Sequence, residues 1–333
     1  MLTACGRETR YSQSFFAMDT VMFVTIYGKN AEESAFEAQK EIQRLESVFD
    51  PESPSGELYA INHAPEGKHI ALSEDMCEIF RNISWVRSRT SDVLNPALYP
   101  LVKLWGFIDA TDDTEPSVPS QSDIARCLEL ADYGSLTFGE GDTISLPDST
   151  ELTMGAIAKG YAAQRATELL DAKSGVSGAI LNLGGNVQTL GSKPDKSPWV
   201  VAVRDPQSSG ELGQILIEGN AAVVTSGSYE RYFEQDGKIY HHILDPRSGY
   251  PAESGLLSIT VVTQTGTLAD ALSTSLFILG EEGALAVRES VNRESPEHAF
   301  ELILVTDDGR VVITDGLRDM FNGESGAYEF IYL

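Results

Sequence analysis

The densest store of reactive groups in the chain lies between Thr225 and Pro251, TSGSYERYFEQDGKIYHHILDPRSGYP. His241, His242, Asp245 and Arg247 fall within seven residues there, which gathers an acid-base pair and an anion contact in one place. Thr225, Ser226 and Gly227 add hydroxyls and a compliant backbone suited to an anion. The same stretch also reads as a hairpin turned at Asp236-Gly237, with Asp245-Pro246 starting the next turn. Adjacent residues of a strand point to opposite faces, so at most one of the two histidines faces a shared site.

A second cluster is TGTLADALSTSLFILG, residues 265–280. On a helix Asp270 and Thr274, four residues apart, cover one patch and offer hard oxygen ligands of the kind magnesium takes. Thr267 followed by Asp270 is equally the pattern of an N-terminal capping box, and both readings stand. In MGAIAKGYAAQ, residues 154–164, Gly155 and Gly160 let backbone approach a bulky ligand, and Lys159 near a helix start can reach a phosphate or simply face solvent. Lys159 precedes the second glycine and neither Ser nor Thr follows, so this is not a kinase-type phosphate loop. NLGGNVQTLG at 182–191 reads as strand, turn and strand, with Gly184-Gly185 open to close ligand contact.

The elements that must position these groups follow from periodicity. Residues 15–28 alternate as one strand, and Ala35, Ala38, Ile42, Leu45 and Phe49 recur at helical steps over 31–49. The sequence DPESPSGELYAIN predicts a loop after that helix. Next come a helix at about 73–90 and an irregular, proline-bearing connection through SDVLNPALYPLVKLWGF. An exposed excursion over Asp109–Gln121 precedes a helix at about 122–131. Short strands are expected at ISL and ELT within 144–153, then a helix from near Gly155. GAILNLGGNVQTLG, WVVAVRDP and GQILIEGNAAVVTSG predict successive strands. A last helix at about 268–290 precedes two strands joined by Asp307-Asp308-Gly309. Strands and helices without a regular βαβ rhythm predict an α+β fold: a mixed or antiparallel sheet packed by helices, in two closely associated lobes with a nucleotide groove.

The 333 residues carry 50 acidic and 24 basic side chains, a net charge of -26. Such a surface repels nucleic-acid backbones, while a local pocket of N–H groups and metal can still take a nucleotide. A glycoside-hydrolase reading needs an acid pair that cannot be singled out among so many carboxylates. The three cysteines form neither a metal cluster nor a disulfide framework. Cys77 and Cys127 sit in apolar helical patterns. Cys5, in LTACG, looks like the end of a lipoprotein signal that would make it a lipidated first residue, although no charged and apolar segment precedes it. Residues 1–11 are accordingly expected as a lipobox-like remnant and linker, and residues 12–333 as a single domain.

Taken in order, FFAMDT, SGELYAIN, NPALYPLVKLWGF, GAIAKGYA, NLGGN, TSGSYERYF, HHILDPRSGYP and DALSTSLFILG resemble the FAD:protein FMN transferases, the ApbE-like family. The resemblance implies magnesium held by the Ala156 carbonyl, Asp270 and Thr274, with Thr267 an additional contributor. It implies FAD contacts at Met18, Asn95, Pro96, Ala97, Thr153, Lys159, Thr225, Ser226, Gly227, His242 and Ile243. The implied reaction moves FMN from FAD to a Thr or Ser hydroxyl of an acceptor protein, such as a membrane redox-system subunit, and releases AMP. His242 is the candidate base with Asp245 as its orienting partner, and the metal-shell carboxylate of Asp270 competes for that role. Family members often work as lipoproteins outside the cytoplasm. Asp19 stands where the family usually has glycine, and Thr153 where it usually has an acidic residue; both bear on the nucleotide's pose. The alternative class is a noncatalytic, surface-attached flavin-binding or scaffold protein.

Overall fold

The computed structural model describes residues 9–108, 116–323 and 326–333. Cys5 and most of the acidic excursion lie outside the described residues. The expected first strand is instead a hairpin, β1 (Thr9–Ala17) and β2 (Thr20–Gly28). Its two-residue turn places Met18 at φ 47° and Asp19 at φ 59°, a geometry that matches the right-handed twist of the paired strands. Residues 9–11, expected in a linker, therefore belong to the sheet.

The helix α1 (Ala31–Phe49) follows as periodicity requires, burying Ala35, Ala38, Ile42, Leu45 and Phe49. The expected loop contains a helix, α2 (Glu57–Asn62), because Leu58 and Ile61 are spaced to bury together. After β3 (Ile70–Ala71), α3 (Glu74–Arg87) starts at a Ser73 cap that accepts from the Met76 N–H. The proline-bearing connection is also helical: a 3-10 turn at Pro96–Leu98 leads into α4 (Tyr99–Leu104), since proline is compatible with a first helical turn. Next come α5 (Gln121–Leu130), β4 (Thr137–Gly139) and β5 (Thr143–Ser145).

No strand forms at Glu151–Thr153. Leu152 N–H donates to Asn62 Oδ1 and Thr153 N–H to the Pro96 carbonyl, so non-sheet partners satisfy this backbone. The next helix, α6 (Ala158–Asp171), starts three residues later than Gly155.

Four strands follow: β6 (Val176–Leu183), β7 (Asn186–Gly191), β8 (Trp199–Arg204) and β9 (Glu211–Ile217). Then come β10 (Ala221–Gly227), the hairpin β11 (Tyr232–Gln235) and β12 (Lys238–His241), and β13 (Leu256–Thr263). The last helix, α7 (Gly266–Glu294), is broken at Gly280, where φ is 73°. The chain closes with β14 (Glu301–Thr306), β15 (Arg310–Ile313), β16 (Phe321–Gly323) and β17 (Glu329–Tyr332).

The main sheet runs β1-β2-β6-β7-β10-β13-β14-β15-β17. Every neighbouring pair is antiparallel except β15 with β17. This is the α+β arrangement that irregular strand spacing predicts. Alternation then makes two cores from one sheet. Leu302 and Leu304 face the helices, where they join Ile259, Val261, Leu272 and Phe277. Ile303 and Val305 face the smaller β16-β9-β8 sheet with Val223, Val262 and Ile215. A third cluster, Leu101, Trp105, Phe107, Ile124, Cys127 and Leu244, joins α4 and α5 to the histidine-bearing segment. Cys127 thus packs as its pattern predicts. Cys77 is half-buried, and both thiols are free.

Candidate active site

Two glycines let α6 and α7 cross closely. A Cβ on Gly160 would stand 2.2 Å from the Gly266 carbonyl oxygen, and one on Gly266 would stand 2.6 Å from the Gly160 carbonyl oxygen. No L side chain fits either gap, so the backbones meet directly. The close approach lets the Gly160 N–H donate to Asp270 Oδ2 at 2.8 Å. This carboxylate is buried with 6% exposure, and the Asn186 side chain acts on it. Burial pushes the Asp270 carboxyl above its ordinary range, while Lys159, the Gly160 N–H and Asn186 pull the other way.

The capping box is not formed. The residue before the helix is Thr265, its side chain makes no capping bond, and Asp270 turns to Gly160 instead. Thr267 Oγ1 donates to Gln164 Oε1 at 2.7 Å, a second tie between the two helices. Thr274 lies one turn beyond Asp270 and is half-buried. Ala156 lies just before α6 and packs against the main core. Among the described residues no group of three or more His, Cys, Asp or Glu is arranged to hold a metal. The carboxylate, carbonyl and hydroxyl set proposed from sequence does not depend on such a cluster.

Lys159, in the first turn of α6, links the motifs electrostatically. Its charge acts on Asp270, on Glu230 and on His242. The hairpin reading of 232–241 is correct: β11 and β12 pair across Asp236-Gly237, with Asp236 at φ 54°. His241 ends β12 and His242 lies just beyond it, and the two take different partners. His241 is buried, with Nε2 at 3.1 Å from the Ala252 carbonyl. His242 is half-buried, and its Nδ1 lies 3.2 Å from the Arg231 carbonyl. Desolvation, reinforced by the Arg231 and Lys159 charges, pushes His242 down to about 3, so its imidazole is neutral across the physiological range. Asp245 does not meet His242; it holds Arg247 in a bidentate pair, with Nη2 to Oδ2 at 2.6 Å, and begins the turn closed by Gly249 N–H. The Arg231 carbonyl orients the imidazole instead. Ile243 is buried beside it, donating its N–H to His241 Nδ1.

Thr225, Ser226 and Gly227 form no turn but end β10 as strand residues, paired with Thr260, Ile259 and Ser258 of β13. Thr225 Oγ1 meets Thr260 Oγ1 at 2.8 Å, Ser226 Oγ meets Ser273 Oγ at 2.8 Å, and Gly227 is buried. Ser273 in turn donates to the Asp270 carbonyl at 2.9 Å. Asn95, Pro96, Ala97 and Thr153 form a separate group: Asn95 Oδ1 caps the Ala97 N–H, Thr153 N–H bonds Pro96, and Thr153 Oγ1 accepts from Gly155 N–H. That last bond carries the group to the start of the α6 segment. The Met18 N–H is held by Glu46 Oε1 at 2.5 Å.

Glu230, Asn186, Ser273, Gln164 and Gly266 were not singled out from sequence. Asn186 and Glu230 lie inside quoted motifs, NLGGN and TSGSYERYF, and Ser273 lies one helical turn beyond Asp270. Their spacing alone gives no sign of which face they share.

The profile of the ApbE family matches residues 18–296. The chain is 34% identical over 329 residues to the FAD:protein FMN transferase of Klebsiella pneumoniae (strain 342), covering 96% of this chain and 97% of that one. It is 29% identical over 341 residues to that of Treponema pallidum (strain Nichols), covering 95% and 91%. Among solved structures, the ApbE protein of Thermotoga maritima superposes with a TM-score of 0.83 at 28% identity, covering 94% of this chain and 99% of that one. The apo flavinyl transferase ApbE of Pseudomonas stutzeri gives 0.81 at 26% identity, covering 96% and 98%.

Proposed function

Because the chain belongs to the ApbE family and is an FAD:protein FMN transferase enzyme, we propose that Lys159, His242 and Asp270 are the groups around which transfer is organised. The observation that carries this reading is the α6–α7 crossing, where the Gly160 N–H, next in the chain to Lys159, donates to Asp270 Oδ2 at 2.8 Å; the Lys159 charge acting on Asp270 and His242 supports it. In this reading residues 12–333 work as one transferase domain, with FAD in a groove between two lobes. Met18, Asn95, Pro96, Ala97, Thr153, Lys159, Thr225, Ser226, Gly227, His242 and Ile243 line the nucleotide.

The residues present fit a magnesium ion. Asp270 is a buried carboxylate whose ionisation is penalised, and a divalent cation would reverse that penalty. Asp270, the Ala156 carbonyl and Thr274 would hold the ion, with Thr267 contributing; hard oxygens in this number, completed by water and phosphate, suit it. When bound it would supply a template and Lewis acid for the pyrophosphate.

The acceptor's Thr or Ser oxygen forms a bond to the FMN phosphorus, the bond from that phosphorus to the bridging oxygen breaks, and AMP departs with the bridging oxygen. Lys159, near the N-terminus of α6, holds phosphate charge. His242 takes the hydroxyl proton. Burial and the Lys159 and Arg231 charges hold its pKa low; an anionic pyrophosphate would offset those charges and raise its basicity. Asp245 supports this indirectly, by shaping the turn that follows His242.

The partner is a flavin-accepting protein. Its identification as a membrane redox-system subunit rests on the family resemblance, and lipid anchoring through Cys5 on the extracytoplasmic face rests on LTACG. Among the described residues no helix is long and apolar enough to cross a membrane. Incubation with FAD, magnesium and a candidate acceptor, followed by intact-mass analysis and peptide mapping, tests the reading. A mass gain of one FMN on a single Thr or Ser, with AMP in equal amount, is expected. Comparable modification from FMN alone would refute it.

A further inference from the structure

Asn186 opens β7 directly after the Gly184-Gly185 turn, in which φ is 63° and 93°. The two positive φ values make a tight hairpin that pairs Leu183 with Asn186 and fixes the strand's register. On its other side Asn186 pairs with Val224 of β10, so it stands within the sheet and is only 3% exposed. The face of β7 that it shares with Gln188 packs on the start of α7: Gln188 Oε1 lies 2.5 Å from where a Gly266 Cβ would be. Two residues along a strand span about 6.6 Å, and four along a helix about 6 Å. The strand and helix therefore bring Asn186 level with Asp270 as Gln188 is level with Gly266.

An amide buried at that place has a defined effect. The Gly160 N–H occupies Oδ2 of Asp270 at 2.8 Å from the α6 side, and the buried Asn186 side chain stands on the sheet side. A carboxylate held by a backbone donor and flanked by a buried amide cannot rotate freely, and its remaining lone pairs keep one direction. We propose that Asn186 is a positioning residue that presents the Asp270 carboxylate to magnesium, acting through Asp270 without touching the ion. This rests on the magnesium reading above.

The test follows magnesium binding by the full chain without FAD, as the rise in thermal unfolding midpoint along a magnesium titration. In Asn186→Leu, which keeps the volume and loses the donor, half of the rise should require at least tenfold more magnesium than in the wild type. Asn186→Ser, which keeps a shorter donor, should fall between the two and carries the test if Asn186→Leu does not fold. A merely structural role would lower the magnesium-free midpoint and leave the half-saturating concentration within twofold of the wild type in both variants, overturning the proposal. A wild type that shows no magnesium-dependent rise would overturn the metal reading and this inference together, whereas an intact wild-type response with unchanged variants overturns this inference alone.

Discussion

Ser226 and Ser273 meet hydroxyl to hydroxyl at 2.8 Å across 47 residues of sequence. Each hydroxyl has one proton. Ser273 gives its own to the Asp270 carbonyl at 2.9 Å, so Ser226 must donate to Ser273. The proton of Ser226 is then committed within the protein, and toward a nucleotide Ser226 offers only lone pairs. Ser226→Ala should therefore change transfer less than about tenfold, because no phosphate donor is lost. Ser273→Ala leaves the Ser226 hydroxyl without its partner and should cost about 1 to 3 kcal/mol of stability. Single-turnover flavinylation and urea unfolding of both variants check this; a loss of several hundredfold in Ser226→Ala would show the hydroxyl donating to substrate.

Asp270 should show opposed effects on stability and transfer. Its folded pKa is raised above the unfolded value, so the folded chain holds the extra proton between the two. The stability this contributes is present at low pH and lost as pH rises through the folded pKa. With a chelator at neutral pH, Asp270→Asn should unfold at a higher midpoint than the wild type, and the gap should close toward pH 4. Transfer by Asp270→Ala should fall at least about 100-fold, roughly 2.7 kcal/mol at the transition state, with a smaller loss in Thr274→Ala. Transfer near wild type in a folded Asp270→Ala protein at limiting magnesium would exclude this carboxylate from the site.

His242 has the reverse linkage. An unfolded imidazole titrates near about 6.5, whereas the folded one is pushed down to about 3. Between those values the unfolded chain binds more protons, so the contribution is intact above about pH 6.5 and lost as pH falls toward 3. His242→Gln should flatten that acid loss, read as the change in urea midpoint between pH 7 and pH 4. Transfer should drop by about 100-fold to 10,000-fold, the range for a lost general base. Unchanged single-turnover rates would move the base elsewhere, with Asp270 the next candidate.

Trp105 connects the histidine segment to the helices. It is fully buried, its Nε1 donates to the Gly249 carbonyl at 2.9 Å, and its ring contacts Phe107, Phe233, Tyr240 and Tyr250. Trp105→Ala should cost about 3 to 5 kcal/mol, and Trp105→Phe less. A folded Trp105→Phe should lose transfer through displacement of the 241–249 segment while magnesium still raises its midpoint normally. Equal loss of both responses would mean that the substitution disturbs the whole molecule.

Asp19 holds φ at 59° where the resembled family usually has glycine. Aspartate enters this region at some cost and glycine freely. Asp19→Gly should therefore keep the hairpin and leave stability within about 1 kcal/mol, because the relieved strain is offset by glycine's greater freedom when unfolded. Flavin fluorescence titration should give FAD binding within threefold of the wild type. A large gain in affinity would show that the Asp19 carboxylate repels the nucleotide.

Sequence by itself determined what is local. Apolar spacing drew α1 to its observed bounds, and alternation drew β6 to β10; the ordered motifs pointed to the family that the profile and the relatives then established. The short helices in 57–62 and 99–104 were hidden by neighbouring prolines and glycines, whose turn chemistry masks a single helical turn. Tertiary structure alone decided the use of Asp270. Thr267 and Asp270 have the spacing of a cap, but the Gly160 N–H that takes Oδ2 lies 110 residues away and the Thr267 hydroxyl goes to Gln164. A carboxylate has no bond preference beyond the nearest good donor. Which donor is nearest was set by the Gly160–Gly266 crossing, where two backbones meet because neither residue has a Cβ.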